Sequence, residues 1–163
     1  MNIKKLIREE LEKILETRNP LLNYLKDKLP NTPDYIIKDF FYSNLKNATK
    51  EEVFETIKEY SNIKWELKTN FPINYNIFNN DTIKRLKERD GGSKNPYEVP
   101  NDINRHNTQK ELILKDGLPK EPIILFKDGS KYELVEGWHR TIQLLTMFPK
   151  GYKYPNVYIG TKK

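Results

Sequence analysis

Cysteine is absent from the 163-residue chain. That excludes disulfides and thiolate metal sites, and nothing in the composition calls for an oxidising compartment. Long apolar runs are also missing. The longest are a few residues, against the ~20 needed to cross a bilayer, so no membrane partner is expected. Residues 1–16 open with lysines but alternate apolar and charged positions. They lack the continuous apolar core of a secretory signal, so a cytoplasmic location is the expectation. There is no internal repeat and no low-complexity tract. What is present argues against wholesale disorder: 36% of residues are hydrophobic, including seven Phe, ten Tyr and two Trp. That is enough apolar surface for one core and a small helical appendage.

The net charge of +6 is unevenly placed. Residues 1–60 carry eleven basic and eleven acidic side chains, residues 61–90 six against four, and residues 91–163 twelve against eight. The excess therefore lies entirely in the last hundred residues, which suits a phosphate-bearing partner, although solubilising lysine gives the same count. Lysine outnumbers arginine 23 to 6, a bias that fits an AT-rich coding genome.

Two patterns follow one another along the chain. Residues 1–62 read as helices. Ile3, Leu6, Ile7, Leu11, Ile14 and Leu15 form one stripe, and Leu21, Leu22, Leu25 and Leu29 a second. Thr32-Pro33 opens a third helix through Ile36, Ile37, Phe40 and Phe41. Thr49 to Glu52 fits a capping box before Val53, Phe54 and Ile57. These stripes serve either mutual packing or a protein partner. Residues 63–163 read as mixed strand and helix, which makes the expected class α+β. Ile63, Trp65 and Leu67 alternate as in a strand, and Phe71 to Asn80 reads as a loop. Asp81 caps a basic helix, Thr82 to Arg89, stopped by Asp90-Gly91-Gly92. Ser93 to Asn104 reads as a loop, and Asn107 to Lys115 as a short helix ended by Gly117. Pro122 to Phe126 is a buried strand, Asp128-Gly129 a hairpin turn, and Tyr132 to Val135 the returning strand. His139 to Phe148 is helical, and Val157 to Ile159 is a last strand.

The informative unit is the junction Glu136-Gly137-Trp138-His139-Arg140, where a strand gives way to a helix. A helix N-terminus presents unpaired N–H groups and the positive end of its dipole, so it attracts anions. Gly137 leaves the backbone open to close approach. Arg140 stands in the first turn, where a cation is disfavoured unless an anion compensates, and its planar fork suits phosphate oxygens. His139 is placed to donate to the same anion or to move a proton. Glu136 is a candidate base or Mg²⁺ ligand. The structural alternative is that Arg140 and Glu136 pair with each other and His139 merely caps the fold.

Gln109 to Leu145, QKELILKDGLPKEPIILFKDGSKYELVEGWHRTIQLL, resembles the core of the ParB/sulfiredoxin superfamily. Members share a helix ending in Gly-Leu, a Pro-Ile-x-x strand, a hairpin, and a Y-x-L-V strand leading to a Gly-x-[His/Arg]-Arg turn. That turn is similar to Gly-Cys-His-Arg in sulfiredoxin and Asp-Gly-His-His-Arg in free-serine kinases, with Glu136 in the acidic position. The resemblance implies a small ParB/sulfiredoxin-like mixed sheet over 63–163. It also implies phosphate or nucleotide contacts at Gly137, Trp138, Arg140 and Thr141. Arg105 and His106 are expected to join those phosphate or nucleotide contacts, Arg105 being set against the Asn-x-Arg that precedes the family's first helix, here expected to be short. A nucleoside triphosphate (ATP or CTP) with Mg²⁺ is the implied cofactor. Trp138 stands where sulfiredoxin has its cysteine, which rules out sulfinic-acid repair. Fifteen residues follow Phe148, too few for the helix-turn-helix of partition proteins. The expected type is a stand-alone member of the phage or mobile-element kind.

Three functions compete. One is an enzyme (NTPase, nuclease or kinase-like phosphotransferase) with Glu136 and His139 catalytic. Another is a non-catalytic DNA-binding module using Lys84, Arg85, Lys87 and Arg89, which otherwise form a solvated helix face. The third is an interaction or inhibitor protein acting through the N-terminal helices. Trp138 and Trp65 are both candidates to stack a base, with Trp65 the more natural core residue. The sequence leaves the oligomeric state open.

Overall fold

A computed structural model describes residues 19–89 and 99–163. The expected helix carrying Ile3 to Leu15, the Asp90-Gly91-Gly92 stop and the first part of the expected 93–104 loop lie outside them. The chain divides into two compact units, one running to Lys64 and taking in Lys163, the other Trp65–Lys162.

The first unit is helical among its described residues. Helix α1, Pro20–Lys28, starts where Asn19 Oδ1 accepts from the Leu22 N–H at 3.2 Å, with proline at the first position. It buries Leu22 and Leu25, and Leu29 follows just past its end. The expected third helix winds as a π-helix over Ile36–Tyr42 and closes with α-helical Ser43–Leu45. Its wider turn sets Ile36 and Phe41, five apart, inward together with Ile37. Helix α2, Lys50–Tyr60, has the full capping box: Thr49 N–H donates to Glu52 Oε2 at 2.7 Å and Glu52 N–H to Thr49 Oγ1 at 3.2 Å. Val53 is buried, but Phe54 departs from the expected stripe and is 60% exposed.

The second unit is α+β. Its sheet has strands β1 (Ile63–Ile73, of which the unit takes Trp65 onward), β2 (Ile123–Asp128), β3 (Lys131–Glu136) and β4 (Tyr152–Lys162) in the order β1-β4-β2-β3. The β2–β3 pair is an antiparallel hairpin turning at Gly129, while β2 and β4 run parallel, so the sheet is mixed. Ile123, Ile124 and Leu125 are all fully buried, as an unbroken apolar run in a central strand requires. Phe126 and Trp65 meet over Gly160, where a Cβ would collide with both rings.

Several expectations are corrected here. Strand β1 continues through Phe71, Pro72 and Ile73 where a loop was expected. Proline is tolerated because β1 is an edge strand and needs no ladder N–H on its outer side. Leu67 does not face the core and is 49% exposed. Helix α3, Asn80–Glu88, is capped by Asn79 rather than Asp81. Asn79 also donates from Nδ2 to Asp128 at 2.9 Å, and its N–H donates to the Tyr132 carbonyl, so the sheet selects which cap is used. Helix α4 runs Val99–Asp116, 18 residues, and is not short. The expected loop over 99–104 belongs to it, because Pro100 falls in the first turn, where a missing N–H costs nothing. Helix α5, Trp138–Met147, buries Ile142, Leu144 and Leu145 on the sheet, each worth ~1.5–3 kcal/mol.

Among the described residues, no helix is long and apolar enough to cross a membrane.

Candidate functional site

The junction between β3 and α5 is built by backbone irregularity. The β2–β3 register shifts at Ile124/Leu125: Leu125 pairs with Leu134 and Ile124 with Glu136. One extra residue on β3, Val135, re-aims the strand end, as bulges beside functional sites do. Gly137 then takes φ +95°. A Cβ there would stand 2.5 Å from Ile123 Cγ2 and 3.2 Å from Arg140 Nη2, so only glycine lets the turn lie this close on β2. Gly137 at the N-cap has no side chain to cap α5, and no other side chain does so among the described residues, which leaves its positive end to an incoming acceptor.

Arg140 folds back under this turn. Its Nη2 donates to the Pro122 carbonyl at 3.0 Å, while Nε is buried with no acceptor. The expected alternative of an Arg140–Glu136 pair is not realised. Neither side chain has an ion-pair partner among the described residues, and Glu136 is half-buried at the end of β3. Arg140 also lines a pocket of about 370 Å³, with Gln109, Asp116, Lys120 and Glu121. The pocket wall is held by Tyr154, fully buried, whose Oη donates to the Glu121 carbonyl at 2.8 Å.

The only two histidines of the chain meet at this junction. His139, in the first turn of α5, and His106, in α4, bring their Nδ1 atoms to 3.4 Å with ring centroids 4.8 Å apart. His106 is buried, and its Nε2 lies 3.2 Å from the Arg89 carbonyl. A carbonyl only accepts, so His106 Nε2 carries the proton and the Nδ1 of the neutral ring is an acceptor. With His106 in that neutral tautomer, His139 donates to it from Nδ1, and Nε2 is the basic nitrogen of the His139 ring. Arg89 supplies that carbonyl from a left-handed residue, φ +55°, that ends α3.

The remaining candidates divide. Arg85 lies over the Trp138 ring, its guanidinium carbon 4.0 Å from the centroid, and Trp138 is only 8% exposed. Trp138 is therefore packed rather than open as a stacking platform, and Arg85 is drawn out of the solvated face. Lys84, Lys87 and Arg89 on α3 are exposed, as is Arg105 on α4 beside His106. Thr141, expected among the phosphate contacts, is fully buried. It neighbours Tyr152, and the two buried hydroxyls interact with each other without forming a well-aligned hydrogen bond. Burial pushes the Tyr152 phenol well above its ordinary value, helped by Tyr154. Among the described residues no three His, Asp or Glu side chains gather as a metal-ligand group. Sequence reading named His106 and His139 separately but had no signal for their contact, and it missed Tyr152, which lies outside the last strand it expected over Val157 to Ile159 and opens the longer β4.

Compared with protein families, curated proteins and solved structures, the chain matches none.

Proposed function

We propose that the Trp65–Lys162 unit binds a phosphate-bearing ligand, a nucleotide or a nucleic-acid phosphate, at the N-terminus of α5 and moves a proton there through His139. The observation that carries this reading is the contact between the chain's only two histidines beside an uncapped helix N-terminus. Arg140 supports it, as a first-turn cation with no carboxylate partner among the described residues and a buried, unsatisfied Nε. The likeness of Glu136 to Arg140 to the ParB/sulfiredoxin turn points the same way. In this reading the first-turn N–H groups hold the phosphate oxygens. His139 Nε2 takes the proton of a hydroxyl or water as its oxygen attacks phosphorus, the bond from phosphorus to the leaving oxygen breaks, and that oxygen departs as a phosphate anion or takes a proton from water; the contact of His106 with the Arg89 carbonyl keeps the His139 tautomer. Among the described residues Glu136 has no second carboxylate gathered with it, so Mg²⁺ here would be held by Glu136 and the ligand's own oxygens, where it neutralises phosphate charge. The exposed Lys84, Lys87 and Arg89 favour a second reading, non-catalytic binding of a nucleic-acid backbone next to the same junction.

A thermal-shift panel of nucleotides and a short oligonucleotide, with and without Mg²⁺, tests binding. Saturation at 100 times Kd stabilises by about 2.7 kcal/mol. Arg140→Ala should remove the shift. Glu136→Gln and His139→Asn should keep most of it and lose turnover. Binding without turnover in the unmodified chain selects the second reading, and no shift with any ligand refutes both.

A further inference from the structure

The first unit carries a groove of about 930 Å³ that the site on α5 does not use. Its apolar wall includes Pro20, Leu21, Tyr24, Leu45, Val53 and Phe54. Phe54 is 60% exposed and Tyr24 44%, although a phenylalanine on a well-capped helix would ordinarily face the core. A wide apolar patch rimmed by charge marks a protein interface rather than a solvated face. The rim identifies the partner. Exposed Lys46 and Lys50 stand next in sequence to exposed Glu51 and Glu55, the last also in a loose, solvent-exposed contact of 3.9 Å with Lys58 of its own helix, so the rim carries both signs, ordered along the chain. A rim of one sign repels its own copy, whereas this one is complementary to itself. Two-fold rotation reverses residue order, so an axis near Lys50–Glu51 opposes Lys46 to Glu55 and Lys50 to Glu51 of a second molecule.

We propose that this groove is a self-association surface. Two copies of the chain dock about a two-fold axis, each Phe54 enters the other's groove, and the Lys46/Lys50 pair of one faces the Glu51/Glu55 pair of the other. An aromatic anchor surrounded by a charged rim is the usual arrangement of binding energy at such interfaces.

Sedimentation of the full chain tests it. The expected result is a concentration-dependent species of twice the 19.5 kDa chain mass. Phe54→Asp should raise the dimer Kd by about thirtyfold or more, with an unchanged circular dichroism spectrum because Phe54 is exposed. The double reversals Lys46→Glu/Lys50→Glu and Glu51→Lys/Glu55→Lys should each be monomeric alone and dimerise when mixed. The chain carrying all four reversals should again dimerise with itself, which separates charge pairing from any loss of fold. A chain that stays monomeric at all concentrations, a dimer indifferent to Phe54→Asp, or reversals that fail to complement on mixing overturns the proposal.

Discussion

Replacing Gly137 by alanine perturbs the junction on which the site depends, and its cost can be worked from geometry. The residue has φ +95°, where an L side chain is strained, at about 1–2 kcal/mol for a left-handed conformation. The new Cβ would also lie 2.5 Å from Ile123 Cγ2. Ile123 is fully buried in the central strand and has nowhere to retreat, so overpacking adds roughly 1–3 kcal/mol. The sum is about 2–5 kcal/mol, and Tm should fall by about 8 °C or more for a unit of this size. Gly117→Ala and Gly129→Ala provide the internal control. Both positions have positive φ, +82° and +58°, but a Cβ at either meets nothing within 4 Å. They should show the strain alone, about 1–2 kcal/mol. Thermal and urea melts of the three variants isolate the close approach. If Gly137→Ala melts no lower than the controls, the turn is not packed on β2 as described.

Arg85→Ala should cost about 0.5–2 kcal/mol through the lost cation–π contact. Read in a Trp65→Phe background, it should also shift Trp138 fluorescence to the red, and unchanged emission would place Arg85 elsewhere. Tyr152→Phe removes a buried hydroxyl with no well-aligned hydrogen bond and should be neutral or stabilising by up to about 1–3 kcal/mol; a clear fall in Tm would show that its contact with the Thr141 hydroxyl holds the fold. Thr49→Ala should destabilise α2 by about 1 kcal/mol. The Thr49 N–H also holds the Glu52 carboxyl below its ordinary value. Its contribution is therefore present above the unfolded-state pKa and lost as pH falls through the lowered one. Glu52→Gln should flatten that acid-side loss in urea melts, and an identical pH profile would contradict the capping box.

Sequence reading was accurate where the cause is local. The Thr49–Glu52 capping box, the Asp128-Gly129 turn, the apolar run at β2 and the Gly137 break each follow from residues within a turn of one another, and each formed as expected. Helix endings behaved likewise: Gly117 closes α4 with positive φ. What depended on distant neighbours was not legible. Pro72 and Pro100 read as breakers, yet an edge position in the sheet accommodates one and the first turn of a helix the other. Asn79 and Asp81 are equivalent caps by propensity, and the Tyr132 carbonyl and Asp128 on another element decide between them. In the candidate site, the residues of the Glu136–Arg140 turn stand in sequence, but their chemistry does not. Whether Arg140 meets Glu136 or Pro122, whether Trp138 is open or covered by Arg85, and whether His139 finds His106 are contacts spanning 18 to 53 positions. Local propensity specifies backbone conformation over a few residues; partners so far apart are chosen only when the sheet and α3, α4 and α5 pack and leave each polar atom the acceptors that remain within reach.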